Sequence, residues 1–139
     1  MNTPFPPYLE IPAADLGTGT PVSVRPCGDA ASVARDFAGA VRGEIAAAQR
    51  QGRAATLIIP VGPVDPFPIL AGALNEDRTD CRDVMFINMD EYLDDADRWI
   101  PADHPLSFRG CMDRVFYQLL DPALAPLPRA HHWVDGSAY

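Results

Sequence analysis

Apolar residues recur at Val33, Phe37, Val41 and Ile45, a spacing of four that lines one side of an α-helix. Asp29, just ahead of the stripe, offers an N-cap, and Gly52 beyond it offers a left-handed stop. Thr56–Ile59 is a short β-branched run closed by Pro60, the pattern of a buried strand. Residues 66–74 regain helical character, and residues 83–88 hold a second apolar run at 84–87. Strand, short helix and strand in this order predict one βαβ unit, a parallel pair joined by a right-handed crossover. Residues 89–104 read as a long polar connection. Pro105 then fits the first position of a further helix, with Phe108, Met112, Val115, Phe116 and Leu119 along one face.

The flanks carry a weaker pattern. Six of the fifteen prolines fall within residues 1–28, which predicts an extended arm over 1–12 and a short strand at 21–25. From Asp121 the chain is rich in Pro and Ala and shows no closing element before Tyr139. Two strands make too small a sheet to stand alone, so the segment at 21–25 is expected to supply a third. A parallel sheet also wants helices on both faces, and three candidate helices cannot cover both. The expected fold is therefore α/β, a parallel-sheet, Rossmann-like three-layer domain that is incomplete. Residues 1–28 form its N-terminal arm and residues 29–139 the partial domain.

Composition narrows the function classes. The chain is 47% apolar and 22% charged, an ordinary globular balance. Its eleven basic residues are all arginine, and against nineteen acidic residues they leave a net charge of −8. A phosphate backbone wants clustered cations, so nucleic acid is not an expected partner. No apolar run approaches the roughly 20 residues that span a bilayer, and the N-terminus lacks the pattern of a signal peptide. Cys27, Cys81 and Cys111 are odd in number and show no C-x-x-C spacing, which fits reduced thiols in a cytoplasm rather than a disulfide framework or a zinc site.

In open α/β sheets ligands bind at the carboxyl ends of the strands, and two loops leave such ends here. Residues 60–66 contain Gly62 and run into a helix start, where backbone N–H groups could hold an anion, or where three prolines simply stiffen a turn. Val61 and Gly62 are the candidate substrate-binding positions in this loop. The second loop opens Asn88-Met89-Asp90-Glu91-Tyr92, and its paired carboxylates Asp90 and Glu91 are candidates for acid–base work. Asp94, Asp95, Asp97 and Asp103 read as a solvated run, and no register of them gives a calcium loop. His104, just ahead of the predicted helix, is either a local cap or a substrate contact. His131 and His132 read as surface residues of the tail, and Cys111 and Met112 as core. Trp99 and Trp133 read as loop residues that cover either the missing half of the domain or a subunit interface.

These two loops resemble a known family. The run Ile87-Asn88-Met89-Asp90-Glu91-Tyr92, followed by Asp103-His104-Pro105-Leu106-Ser107-Phe108 and Met112, is similar to glucosamine-6-phosphate deaminase/isomerase. That family carries N-M-D-E-Y after a strand and H-P-x-S-[YF] at a helix start. The likeness spans about residues 33–136 and implies the N-terminal half of such a domain. Arg98-Trp99-Ile100-Pro101 is closer to the sister 6-phosphogluconolactonases, which makes a sugar-phosphate hydrolase the enzymatic alternative. A non-catalytic sugar-phosphate binding module is the alternative of another class.

The resemblance implies that Asp90 moves the C2 proton of an opened amino-sugar phosphate. An enolamine then forms, C1 is reprotonated and ammonia is released from C2. Glu91 would orient the loop or a hydroxyl and take no proton-transfer step. The substrate's own amino and carbonyl groups supply the activation, so no cofactor is expected. Residues 60–66 fall where the family holds the phosphate, yet Pro63, Val64, Asp65 and Pro66 bring no hydroxyl there and one added negative charge. At about 4 Å, Asp65 would repel a phosphate by roughly 1 kcal/mol in water-like surroundings. The connection at 93–103 is longer than the family's, and no lysine is present to clamp a phosphate. The isolated chain is therefore expected to be inactive, to meet a small sugar phosphate as its ligand, and to form a homo-oligomer through its incomplete sheet.

Overall fold

The computed structural model describes residues 6–127 and the backbone of residues 131–133. Its elements run α1 (Ala30–Arg50), β1 (Thr56–Ile59), α2 (Pro66–Glu76), β2 (Met85–Asn88), α3 (Phe108–Val115) and β3 (His131–Trp133). The strands form one sheet in the order β1-β2-β3, and both pairings are parallel. Thr56 faces Met85 and Ile59 faces Asn88, so β1 and β2 end level with one another.

Local chemistry sets the ends of α1. The Asp29 carboxylate accepts the Ser32 N–H at 2.6 Å. At the other end Gly52 takes φ +67°, its N–H reaches the Gln49 carbonyl at 2.9 Å, and the Arg53 N–H reaches Ala48 at 3.1 Å. These two bonds form a Schellman stop that only glycine enters without strain. The buried line of α1 differs from the predicted stripe. Ile45 is fully buried and Phe37 and Val41 are half-buried, but Val33 is exposed, and Ala34, Ala38 and Ala48 are buried instead. Small side chains on this face let α1 lie against α2.

All three helices share one core, on one side of the sheet. Leu57, Ile59 and Phe86 point into it, together with Ile45, Phe67, Leu70, Met112 and Phe116. Ring contacts at 6.0, 5.8 and 5.3 Å run from Phe37 to Phe67, Phe67 to Phe116 and Phe116 to Phe86, and tie α1, α2, the end of α3 and β2 together. Strand alternation sends Ile58 and its register partner Ile87 to the opposite face, outside this core. Ile58 is 68% exposed. A parallel sheet is ordinarily covered on both faces; here the described residues cover one.

Three expectations need correction. Residues 21–25 form no strand; Pro21 and Pro26 remove a donor at either end of the segment. The third strand is β3, beside β2, so the tail adds an edge strand to the sheet, and His131, His132 and Trp133 belong to a strand rather than to a tail or loop. Their side chains lie outside the described residues. Finally, α3 begins at Phe108 with Ser107 as its N-cap, not at Pro105, because the Ser107 hydroxyl accepts the Gly110 N–H at 3.2 Å. The arm before Asp29 makes two short 3₁₀ turns and keeps Tyr8, Leu9 and Ile11 exposed. Arg25 and Asp36 tie it to α1 at 2.8 Å, an exposed pair worth at most about 1 kcal/mol.

Candidate active site

The level ends of β1 and β2 bring both candidate loops to one edge of the sheet. The Met89 N–H continues the ladder to the Ile59 carbonyl at 3.1 Å, which holds the chain in register one residue past β2. Asp90 follows, with an exposed position. Glu91 turns the other way. Its side chain is fully buried, and five donors converge on its carboxylate. Oε1 accepts the backbone N–H groups of Tyr92 and Phe108, both at 2.9 Å. Oε2 accepts the Ser107 hydroxyl at 3.0 Å, the Arg109 N–H at 2.9 Å and the Arg109 Nε–H at 3.0 Å. Burial pushes the Glu91 carboxyl upward, but the N–H groups of Arg109, Phe108 and Tyr92 and the Ser107 hydroxyl outweigh it, and the group ends below its ordinary value.

Glu91 is thus the partner of the first turn of α3, where two unsatisfied N–H groups and the helix dipole favour an anion. Arg109 completes the brace. Its guanidinium donates to the Ile100 carbonyl and lies over the Trp99 ring, 4.6 Å from the centroid. The long connection is thereby fastened back onto the helix it precedes. Trp99 also pairs with Leu93 through an isolated antiparallel bridge. His104 is exposed, and its Nδ1 accepts the Leu106 N–H at 3.1 Å. This local bond places the proton of the neutral ring on Nε2.

A cavity of about 250 Å³ opens at this edge. Val61, Gly62 and Val64 line it from the first loop, Tyr92 from the second, and residues 105–108 with Cys111 from the start of α3. Val61 and Gly62 therefore meet the second motif as a wall. Asp90, Glu91 and His104 lie outside the lining. Cys111, read as core, is half-buried and faces this space, whereas Met112 is fully buried. A larger depression of about 590 Å³, bounded by Gln49, Arg53, Ala55, Asp80 and Asp83, sits at the amino ends of the strands. Open α/β sheets bind ligands at the other end, so the smaller cavity is the one beside the candidate chemistry.

Two contributors were not singled out from the sequence. One is Arg109, whose signal is a cation in the first turn of a helix, a poor place for it without a nearby anion. The other is the buried pair Asn88 and Tyr117, in which the amide Nδ2 meets the hydroxyl at 3.1 Å. Burial pushes the Tyr117 phenol up to about 12.

No family model and no curated protein matches the sequence. Among solved structures, a monomeric glucosamine-6-phosphate deaminase described as a missing link of the NagB superfamily matches with a TM-score of 0.67 over 83% of this chain, at 20% identity. The chain has a NagB-type fold. It spans 43% of the length of that deaminase. The expected α/β class and its parallel sheet are those of this fold. Among the described residues no helix is long and apolar enough to cross a membrane.

Proposed function

We propose that this chain carries the proton-transfer carboxylate of an amino-sugar isomerase/deaminase, with Asp90 as the base at C2. The carrying observation is the asymmetry of the two adjacent carboxylates. Glu91 is consumed by five donors, while Asp90 stands exposed between two pinned neighbours, Met89 on the Ile59 carbonyl and Glu91 in its brace. A base needs a held backbone and a free lone pair; the neighbours of Asp90 are held, and among the described residues no hydrogen bond to its exposed carboxylate is seen. In this reading Glu91 and Arg109 are positioning residues. Such a protein belongs to carbohydrate metabolism in a reducing cytoplasm, where its three cysteines remain thiols. The matched deaminase is more than twice as long as the aligned part, so full deamination draws on groups that this reading does not assign.

The test isolates the step Asp90 would carry. Glucosamine and glucosamine 6-phosphate are incubated with the chain in D₂O, and loss of the C2 proton signal is followed by NMR. For glucosamine, C2 exchange above the buffer rate is expected even without net turnover, with Asp90→Asn returning it to the buffer rate and Asp94→Asn leaving it unchanged. Equal rates for Asp90→Asn and the unaltered chain would remove Asp90 from the chemistry.

A further inference from the structure

We propose that the cavity beside the candidate base is a subsite for an uncharged, largely apolar group, so that the chain selects carbohydrate ligands carrying no phosphate at that position. Two helix N-termini reach this edge of the sheet, and a helix N-terminus is the usual protein cradle for an anion. Here both are already filled. In the first turn of α2, Pro66 and Pro68 have no N–H, and the Phe67 N–H is held by the Val64 carbonyl at 3.1 Å. Pro63, in the loop ahead of it, also lacks a donor. In the first turn of α3, Phe108 and Arg109 give their N–H groups to Glu91, and Gly110 gives its own to the Ser107 hydroxyl.

The side chains point the same way. Ser107 brings the one aliphatic hydroxyl of the lining, and it is buried and committed to Glu91 at 3.0 Å, which leaves the Tyr92 phenol as the single other hydroxyl in the described wall. Apart from Tyr92 and the Cys111 thiol, the remaining walls come from Val61, Gly62, Val64, Pro105, Leu106 and Phe108. Arg109, the cation that α3 brings to this end, is spent on Glu91, Ile100 and Trp99. Asp65, at the start of α2, adds a negative charge. A phosphate placed here would lose its hydration and receive few donors in return. A methyl, acyl or aryl substituent on a sugar would bury apolar surface instead, and a volume of about 250 Å³ accommodates a group of that size.

The inference concerns the cavity and stands whether or not Asp90 is the base. Its test is a titration of the ¹⁵N-labelled chain, read at the amides of Gly62, Leu106 and Cys111, with phenyl β-D-glucoside, glucosamine 6-phosphate and inorganic phosphate as separate probes. The glucoside is expected to shift these amides to saturation, and the two phosphates to leave them in place. Leu106 is 58% exposed, so Leu106→Glu should fold normally and weaken the glucoside by about tenfold or more. Asp65→Asn should not admit phosphate, because the donors remain occupied. Saturable shifts of these amides with either phosphate would overturn the proposal. So would amides that stay unmoved by the glucoside in the folded chain. Failure of the Asp90 reading shows instead as unchanged C2 exchange, with no bearing on these shifts.

Discussion

Glu91→Gln keeps the length and shape of the side chain and removes its charge at a point where five donors converge. Gln offers one acceptor oxygen where Glu offers two, so its NH₂ group must meet donors from Ser107 and Arg109. Removing one partner of a buried ion pair costs about 3–5 kcal/mol. The Arg109 side chain is 22% exposed and keeps Ile100 and Trp99 as neighbours, which places this case at the lower end, about 3 kcal/mol. For a domain of this size each kcal/mol moves Tm by about 4 °C, giving a fall of about 12 °C. The acid limb provides a second reading with a definite sign. The folded Glu91 carboxyl titrates below its ordinary value of 4.5, so its contribution is fully present above that value and is lost as pH falls through the lowered one. The gap between the unaltered chain and Glu91→Gln should therefore be widest near neutrality and shrink below about pH 4.5. Circular dichroism melts at pH 7 and at pH 3.5 measure both. A variant within about 0.5 kcal/mol of the unaltered chain at pH 7, or a gap that widens in acid, would refute the brace.

Three further outcomes follow from the packing. At Gly110 an added Cβ would collide with the Ala102 carbonyl oxygen, whereas at Gly43, within α1, nothing lies close. Gly110→Ala should cost about 2–3 kcal/mol by urea denaturation and Gly43→Ala should gain about 0.5–1. Tyr117→Phe removes a hydroxyl that contacts the buried Asn88 amide and should cost about 1–2 kcal/mol in the same assay. In an ultraviolet titration one tyrosine should ionise only near pH 12, and its step should vanish in Tyr117→Phe.

Where local chemistry decided the structure, the sequence was sufficient to read it. Asp29 and Gly52 bound α1 as predicted, and Thr56–Ile59 is β1 residue for residue. The motif after β2 was legible as a candidate site because it sits where a parallel sheet presents its loops. Distant partners were not legible. Nothing adjacent to Ser107 announces that Glu91, sixteen residues earlier, will cap its helix and so move the start of α3 from Pro105 to Phe108. The displaced stripe on α1 has a similar cause. Alanines are weak signals in a hydrophobic pattern, yet they occupy the face that meets α2. The β-branched residues at 21–25 point to a third strand there, but pairing is settled by which edge of β2 is free, and β3 takes it.

If copies of this chain meet in solution, the sheet face that the described residues leave uncovered would decide how they behave toward one another. Ile58 and Ile87 lie side by side on it, on a molecule of net charge −8 with no lysine. Like-charged copies repel over about 10 Å in 0.1 M salt, but over only about 3 Å in 1 M salt. Added salt therefore removes the barrier while leaving the apolar attraction intact, and sulfate strengthens it further. Salt, which weakens most electrostatic assemblies, would here bring copies of the chain together.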